Sequence, residues 1–462
     1  MSETLLLKSE VPADVRGLCT RLAEAGFRAW VVGGCVRDHV LMHLRGGKSA
    51  IRNDWDVATD ARPEQVQKLF RKVIPTGIKH GTVTVLLSGV GYEVTTLRGE
   101  TTYSDGRRPD AVYFVDDIAA DLARRDFTIN AMAYDPLSDM LIDPFGGVSD
   151  LGAGVLRAVG DPAERFAEDG LRVLRAARFA ATLEMDIEPG TARAIEPSLA
   201  SYRKVSPERI RDEWLKTMKA REPSRAFEVM KNHGMLAISA PELLESVGCE
   251  QNRYHAFDVW GHAMQCMDNC VPSAVLRVAG LLHDVGKPRS RAFSDKTEDY
   301  TFYEHERIGA EMADPMLARL RFSNDERKRI VELVRHHLIC YDDSWSDSAV
   351  RRWVRRVTPE LLEDLYALSR ADVSAKGRDA SEDLRRLSAL EGRVQVILEA
   401  GNALSVRDLA VNGHDLMSEV GVAPGPKLGS ILTTLLEEVV EDPSRNERET
   451  LLARARQLSE EA

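Results

Sequence analysis

The spacing of apolar residues changes about one third of the way along the chain. Before position 150 the apolar runs are short. "RAWVVGG" ends in two glycines and leads into "CVRDHVLMHL", which reads as a helix. "HGTVTVLL", "GYEVTTLR" and "DAVYFV" alternate apolar and polar residues with the period of two expected of half-buried strands. From about Asp150 onward the apolar residues recur every three to four positions. "EDGLRVLRAARFAATL", "ERIRDEWLKTMKA", "HAMQCMDNC", "AVLRVAGLLHDVG", "HERIGAEMADPMLARL" and "DERKRIVELVRHHL" all read as amphipathic helices. "VGVAPGPKLGS" breaks the pattern, and a final helical hairpin follows. The pattern predicts an α+β chain, with a small mixed β-sheet in an N-terminal head and an all-helical remainder. No internal repeat and no low-complexity segment is evident.

The 462 residues give room for two to four domains. The formal net charge of −11 argues against a general nucleic-acid coat, but not against local phosphate binding where cations gather. They gather in three places: Arg157 to Arg178, Arg203 to Lys219, and Arg351, Arg352, Arg355 and Arg356. Each cluster also fits a solvated helix face. The six cysteines form no CxxC pair, no apolar run is long enough to cross a bilayer, and the N-terminus has no secretory pattern. The expectation is a reduced, cytoplasmic protein.

Chemistry begins at "NDWDVAT". In a strand, Asp54 and Asp56 share one face while Trp55 points into the core. Two aligned carboxylates stay ionised together only beside cations, and Mg²⁺, which takes oxygen ligands, suits them. Glu93 on another predicted strand offers a third carboxylate. Upstream, Gly33 and Gly34 stand at a strand-to-helix turn, where backbone N–H groups can approach a phosphate, and Arg37 follows. A surface DxD and a plain tight turn are the alternative readings of these two features.

Taken in order, "VVGGCVRD…NDWDVAT", "EVTTLR…YSDGRRP", "RRDFTINAMAYDP", "DPFGGVSDL", "EDGLRVLRAARFA" and "SPERIRDEW" resemble the class II tRNA nucleotidyltransferase and poly(A) polymerase superfamily over roughly the first half of the chain. The resemblance implies template-independent addition of C and A from CTP and ATP to the tRNA 3′ end, with release of pyrophosphate. It makes Asp54 and Asp56 the catalytic metal ligands, with Glu93 as the third member. It assigns Arg124, Asp126 and Asn130 to the ribose and triphosphate. Arg175 and Arg178 join them as candidate nucleotide-binding cations.

Asp169 and Arg172 are three apart, so on one helix they would share a face. The carboxylate can accept from an exocyclic amine while the guanidinium donates to a ring nitrogen. Cytosine and adenine satisfy that pair; uracil and guanine present the reverse order. An ordinary i,i+3 salt bridge would fit the spacing too. "YSDGRRP" looks like the loop of full CCA-adding and A-adding members. The link "LMHLRGGKSAIRNDW" is longer than the family's, and "AADLARRD" lacks its common Glu.

A second constellation lies downstream. His262, His283-Asp284, His305, His336-His337 and Asp372 fall on successive predicted helices. Imidazoles with carboxylates form a ligand set for one or two divalent transition metals. The set resembles the HD phosphohydrolase superfamily, which would make Lys287 a phosphate-facing residue. The implied division is a nucleotidyltransferase head at 1–149, a neck for base recognition and RNA binding at 150–225, an HD metal-binding domain at 226–395 and a tail at 396–462. A-only addition, poly(A) synthesis and an HD phosphohydrolase with a tRNA-binding head remain the alternatives.

Overall fold

A computed structural model describes residues 10–46, 55–78, 81–100, 112–401 and 403–461. The chain forms two compact units, Met1–Pro241 and Glu242–Ala462.

The first unit carries a seven-stranded mixed sheet. One of its inner strands, Ala29–Val32, is buried along its whole length. That strand pairs antiparallel with Asp56–Thr59 on one side and with Ala133–Asp135 on the other. Asp56–Thr59 in turn pairs parallel with Val90–Thr96, the parallel junction that makes the sheet mixed. Thr82–Leu87 and Val73–Gly77 extend one edge, and Met140–Ile142 closes the other. The period-two runs read as strands are strands. Val73–Gly77 is an addition that alternation did not announce. It is largely exposed and contains Pro75, which cannot donate to a ladder and is tolerated on an edge. Trp30, Val32, Leu97, Leu122 and Ala133 form an apolar core beneath the sheet.

The helical part of this unit departs from expectation at one point. "EDGLRVLRAARFAATL" is not one helix. Pro162–Glu168 ends at Asp169, which is extended (φ −142°, ψ 106°), and Leu171–Thr182 begins after Gly170. A Cβ on Gly170 would stand 2.2 Å from the Ser201 carbonyl oxygen, so only glycine admits this approach of two backbones. Leu171–Thr182 is then buried on most of its surface, packed against Pro207–Thr217 and Ser224–Asn232.

The second unit is almost wholly helical. Val259–Asn269 packs on Ala274–Leu282 and on Leu362–Ala375, while His305–Arg319 packs on Asn324–His336. The expected terminal hairpin is present as Pro426–Glu441 and Arg448–Glu461, which share a core of Leu416, Leu435, Leu436, Val439 and Leu451. Among the described residues no helix is long and apolar enough to cross a membrane.

Candidate active site and metal centre

In the first unit the parallel pairing sets Asp56 directly beside Glu93. Residues opposite one another in a sheet project from the same face, so two carboxylates converge. Trp55 is buried as expected and packs 4.9 Å from the His39 ring. Asp54 lies outside the described residues, as does the "YSDGRRP" loop. Gly33 has φ +83°, a left-handed conformation that disfavours side chains, and a Cβ there would stand 3.5 Å from Asp56 Oδ2 and 3.4 Å from Arg125 Nη1. The Gly-Gly turn thus brings the start of the Gly34–Leu44 helix against the Asp56 carboxylate and the Arg125 guanidinium. Hard oxygen donors beside a helix N-terminus suit a divalent cation that arrives with a triphosphate.

Behind this mouth runs a chain of buried polar contacts. Arg37 Nη1 donates to Asn130 Oδ1 at 2.8 Å, Asn130 Nδ2 donates to Asp126 Oδ1 at 3.0 Å, and Arg175 Nε donates to Asp126 Oδ2 at 2.7 Å. Burial alone would raise the Asp126 pKa, but Arg175, Asn130 and Arg172 outweigh it and bring it down to about 2. Asp126 and Asn130 therefore hold arginines in this structure, and their acceptors are already engaged. Arg124 donates to Asp121 Oδ1 at 2.7 Å, and Arg178 is bound to the buried Glu213.

Because the helix breaks at Asp169, the premise that Asp169 and Arg172 occupy one helical face is corrected. Asp169 accepts the Leu171 N–H at 3.0 Å and a two-pronged ion pair from Arg209 at 3.1 and 2.7 Å. Arg172 pairs instead with Glu168 at 2.5 Å and donates to the Arg124 carbonyl at 2.9 Å. Both residues are held in place from separate sides. Arg209, in "SPERIRDEW", is a partner that the spacing argument missed.

In the second unit the two triads His262–His283–Asp284 and Asp284–His305–His337 each bring their ligand atoms within 4.8 Å of one another, and every member is buried. The Asp284 carboxylate is shared. Its Oδ2 lies 3.1 Å from His283 Nε2 and 3.4 Å from His262 Nε2. Its Oδ1 lies 3.4 Å from His305 Nε2 and 3.7 Å from His337 Nε2. Asp372 Oδ1 is 2.9 Å from His262 Nε2.

The outer nitrogens decide what these rings can hold. His283 Nδ1 donates to the Gly280 carbonyl, His305 Nδ1 to Phe302 and His337 Nδ1 to Val334, each at 2.7 Å. A carbonyl only accepts, so in the neutral rings each Nε2 turns a lone pair inward. Burial lowers the His305 pKa to about 4, which keeps that ring neutral at pH 7. Two such lone pairs, on His305 and His337, then face each other at 3.3 Å. Asp284 Oδ1 is also buried without a hydrogen-bond partner. The donor set fits a cation.

Glycine again permits the geometry. A Cβ on Gly286 would fall 2.2 Å from the His305 carbonyl oxygen, so the turn after Asp284 can press directly on the His305–Arg319 helix. Lys287 is buried, 2.7 Å from Asp284 Oδ2, and donates to Gln251 at 2.6 Å. His336 is not brought into either triad; it sits 3.4 Å from Glu332. Successive residues at a helix end point about 100° apart, so only one of His336 and His337 can face the cluster. His255, which sequence reasoning passed over, stands 4.9 Å from the His262 ring, and both His255 and Asp372 line the cavity above the cluster.

Comparison with known proteins adds to this geometry. A Poly A polymerase head domain matches residues 29–157, a probable RNA and SrmB-binding site of polymerase A matches 184–246, and a putative tRNA nucleotidyltransferase domain 2 matches 302–455. These matches, with the carboxylate-bearing sheet, define a nucleotidyltransferase. A CCA-adding enzyme of Limosilactobacillus fermentum is 34% identical over 97% of this chain and 98% of its own. One from Ligilactobacillus salivarius is 32% identical over 96% of this chain and 95% of its own. The crystal structure of the Bacillus stearothermophilus CCA-adding enzyme in complex with CTP superposes with a TM-score of 0.72 at 26% identity, covering 97% of this chain and 98% of that one. The chain belongs to the class II CCA-adding enzyme family.

Proposed function

We propose that this chain adds C and A nucleotides, from CTP and ATP, to the 3′ end of tRNA without a template, releasing pyrophosphate. The observation that carries the reading is the end-to-end similarity to a CCA-adding enzyme at 34% identity. In the reaction the RNA 3′-oxygen forms a bond to the α-phosphorus, the bond to pyrophosphate breaks, and the hydroxyl proton leaves. Mg²⁺ bound by Asp56 and Glu93, with Asp54 as the expected companion, would supply charge neutralisation at the triphosphate. The chain's own residues position the reactants. Gly33 and Gly34 offer backbone N–H groups to phosphate, and Arg37, Arg175 and Arg178 place positive charge behind them. Asp169 and Arg172, each braced by its own ion pair, present an acceptor and a donor to the base. The direct test supplies tRNA ending before CCA, at C and at CC with single labelled NTPs, and sequences the 3′ ends. Full CCA addition extends all three substrates in order; extension of the CC end alone would make the enzyme A-only.

The shared Asp284 between two buried triads favours a second reading for the other unit. It is a divalent-metal phosphodiesterase or phosphatase acting on 2′,3′-cyclic or terminal phosphates, which would otherwise block the RNA end. Bound transition metal would supply an activated water, and Lys287 would face the phosphate. Hydrolysis that persists in a His283→Ala/Asp284→Ala double variant would sink this reading. Functionally the chain then divides into head (1–149), neck (150–225), metal-binding domain (226–395) and tail (396–462), in a cytoplasmic enzyme.

A further inference from the structure

The arginine cluster at 351–356 is not a uniformly solvated face. Arg351 is buried and donates to the Val440 and Glu441 carbonyls at 2.6 and 3.0 Å, where it caps the Pro426–Glu441 helix. Arg352 and Arg356 do something else. Four apart, they share one face of the Asp347–Val357 helix, and with the buried Trp353 on the adjoining face they line a cavity of about 780 Å³. Arg335 and His336 reach it from the end of the Asn324–His336 helix, and Trp345 lines it from the preceding loop. Such a volume is ordinary for a small-molecule site.

The cations here are unevenly neutralised. Arg352 meets Glu441, but Arg335 has only a 3.8 Å approach to Glu332, and Arg356 makes no ion pair among the described residues. Glu306 also lines the cavity, and its Oε2 is buried without a hydrogen-bond partner. That oxygen lies 3.6 Å from His305 Nδ1, and the carboxylate disfavours a bare phosphate, whereas a nucleotide can keep its phosphate on the arginines. Guanidinium groups suit phosphate, and the half-buried Trp345 offers a stacking face.

We propose that this cavity binds an unpaired nucleotide, with the base stacked on Trp345 and the phosphate held by Arg352 and Arg356. The ligand is a nucleoside phosphate, supplied either free or as a unit of single-stranded RNA. The site stands independently of whether the neighbouring histidine cluster holds metal.

The test is photolabelling of the full chain, mapped by peptide mass spectrometry. One arm uses 8-azido-AMP; the other uses a short single-stranded oligoadenylate carrying the same photoprobe. Label is expected on peptides spanning 335–356 in at least one arm. Labelling by the mononucleotide identifies a free-nucleotide site, and labelling by the oligonucleotide alone identifies an RNA-borne unit. Arg352→Ala/Arg356→Ala and Trp345→Ala should each weaken labelling about tenfold, the scale of one lost stacking or phosphate contact. Both arginines are exposed, so the double variant remains decisive even where Trp345→Ala unfolds. Label confined to peptides of the first unit, label unchanged in the double variant, or displacement by inorganic phosphate as effective as by AMP would overturn the proposal.

Discussion

The two candidate metal sites of this chain are built in opposite ways. In the first unit Asp56 and Glu93 stand side by side at the end of a parallel strand pair, Asp56 partly buried and Glu93 exposed, with oxygen atoms as their donors. In the second unit the donors are mostly buried imidazoles, and the outer nitrogens of His283, His305 and His337 are fixed by backbone carbonyls, while that of His262 has no partner. The first arrangement suits a cation that comes and goes with each triphosphate. The second suits one that stays, because most of its ligands are oriented in advance by hydrogen bonds behind them. On the proposed reading, one fold carries a working site and a resident metal in separate units, and each should fail independently of the other.

The largest expected effect comes from Asp56→Ala. Nucleotide incorporation should fall about a thousandfold or more, because the lost group acts on the charge of the transition state. Thermal stability and the metal content of the second unit should stay unchanged, as read by melting and by elemental analysis. Next in size, His283→Ala should remove most of the bound transition metal and lower stability by about 3 kcal/mol, since a buried ligand and its cation are both lost. Urea unfolding checks that figure, and most of the nucleotide incorporation should survive.

Acid should distinguish the two regions through Asp126. Its pKa is about 2 in the folded chain against an ordinary value of 3.8. A depressed carboxyl contributes stability that is complete above the ordinary value and is lost as pH falls through the folded one. The contribution is about 2 kcal/mol, at 1.4 kcal/mol per pKa unit. The stability advantage of the native chain over Asp126→Asn should therefore shrink between pH 4 and pH 2, followed by urea melts at each pH. An advantage that is flat across this window would mean that the Arg175 pair is not what holds the carboxylate. Smallest, Asp169→Ala should relax discrimination of CTP against UTP by about tenfold, measured as the ratio of kcat/KM values.

Much of the first site was legible because it follows from local rules. Alternation marked the strand of Glu93 and the DxD spacing suited a strand for Asp56, and the Gly-Gly turn announced a close backbone approach; that the two strands pair directly was not in the spacing. The break at Asp169 was not legible. The apolar period runs through it from Phe166 to Leu174, and the break sits where Gly170 passes close to the backbone at Ser201, a contact distant in sequence. The engagement of Asp126 by Arg175, of Asp169 by Arg209 and of Arg178 by Glu213 is hidden for the same reason. In the second unit, the histidine spacing exposed the cluster. It could not separate His336 from His337, because the choice depends on where the Asn324–His336 helix ends. Nor could it reveal His255, which a loop delivers.

The central claim is that nucleotide addition belongs to the first unit and the resident metal to the second. It is tested most directly by assaying three proteins side by side: the native chain, Asp56→Ala and His283→Ala/Asp284→Ala. Each is given tRNA lacking CCA with labelled CTP and ATP, and the bound metal is counted in the same samples. The account predicts that Asp56→Ala keeps its metal and loses addition, while the double variant loses its metal and keeps addition. Incorporation that is unchanged in Asp56→Ala, or abolished together with the metal in a folded double variant, would contradict it.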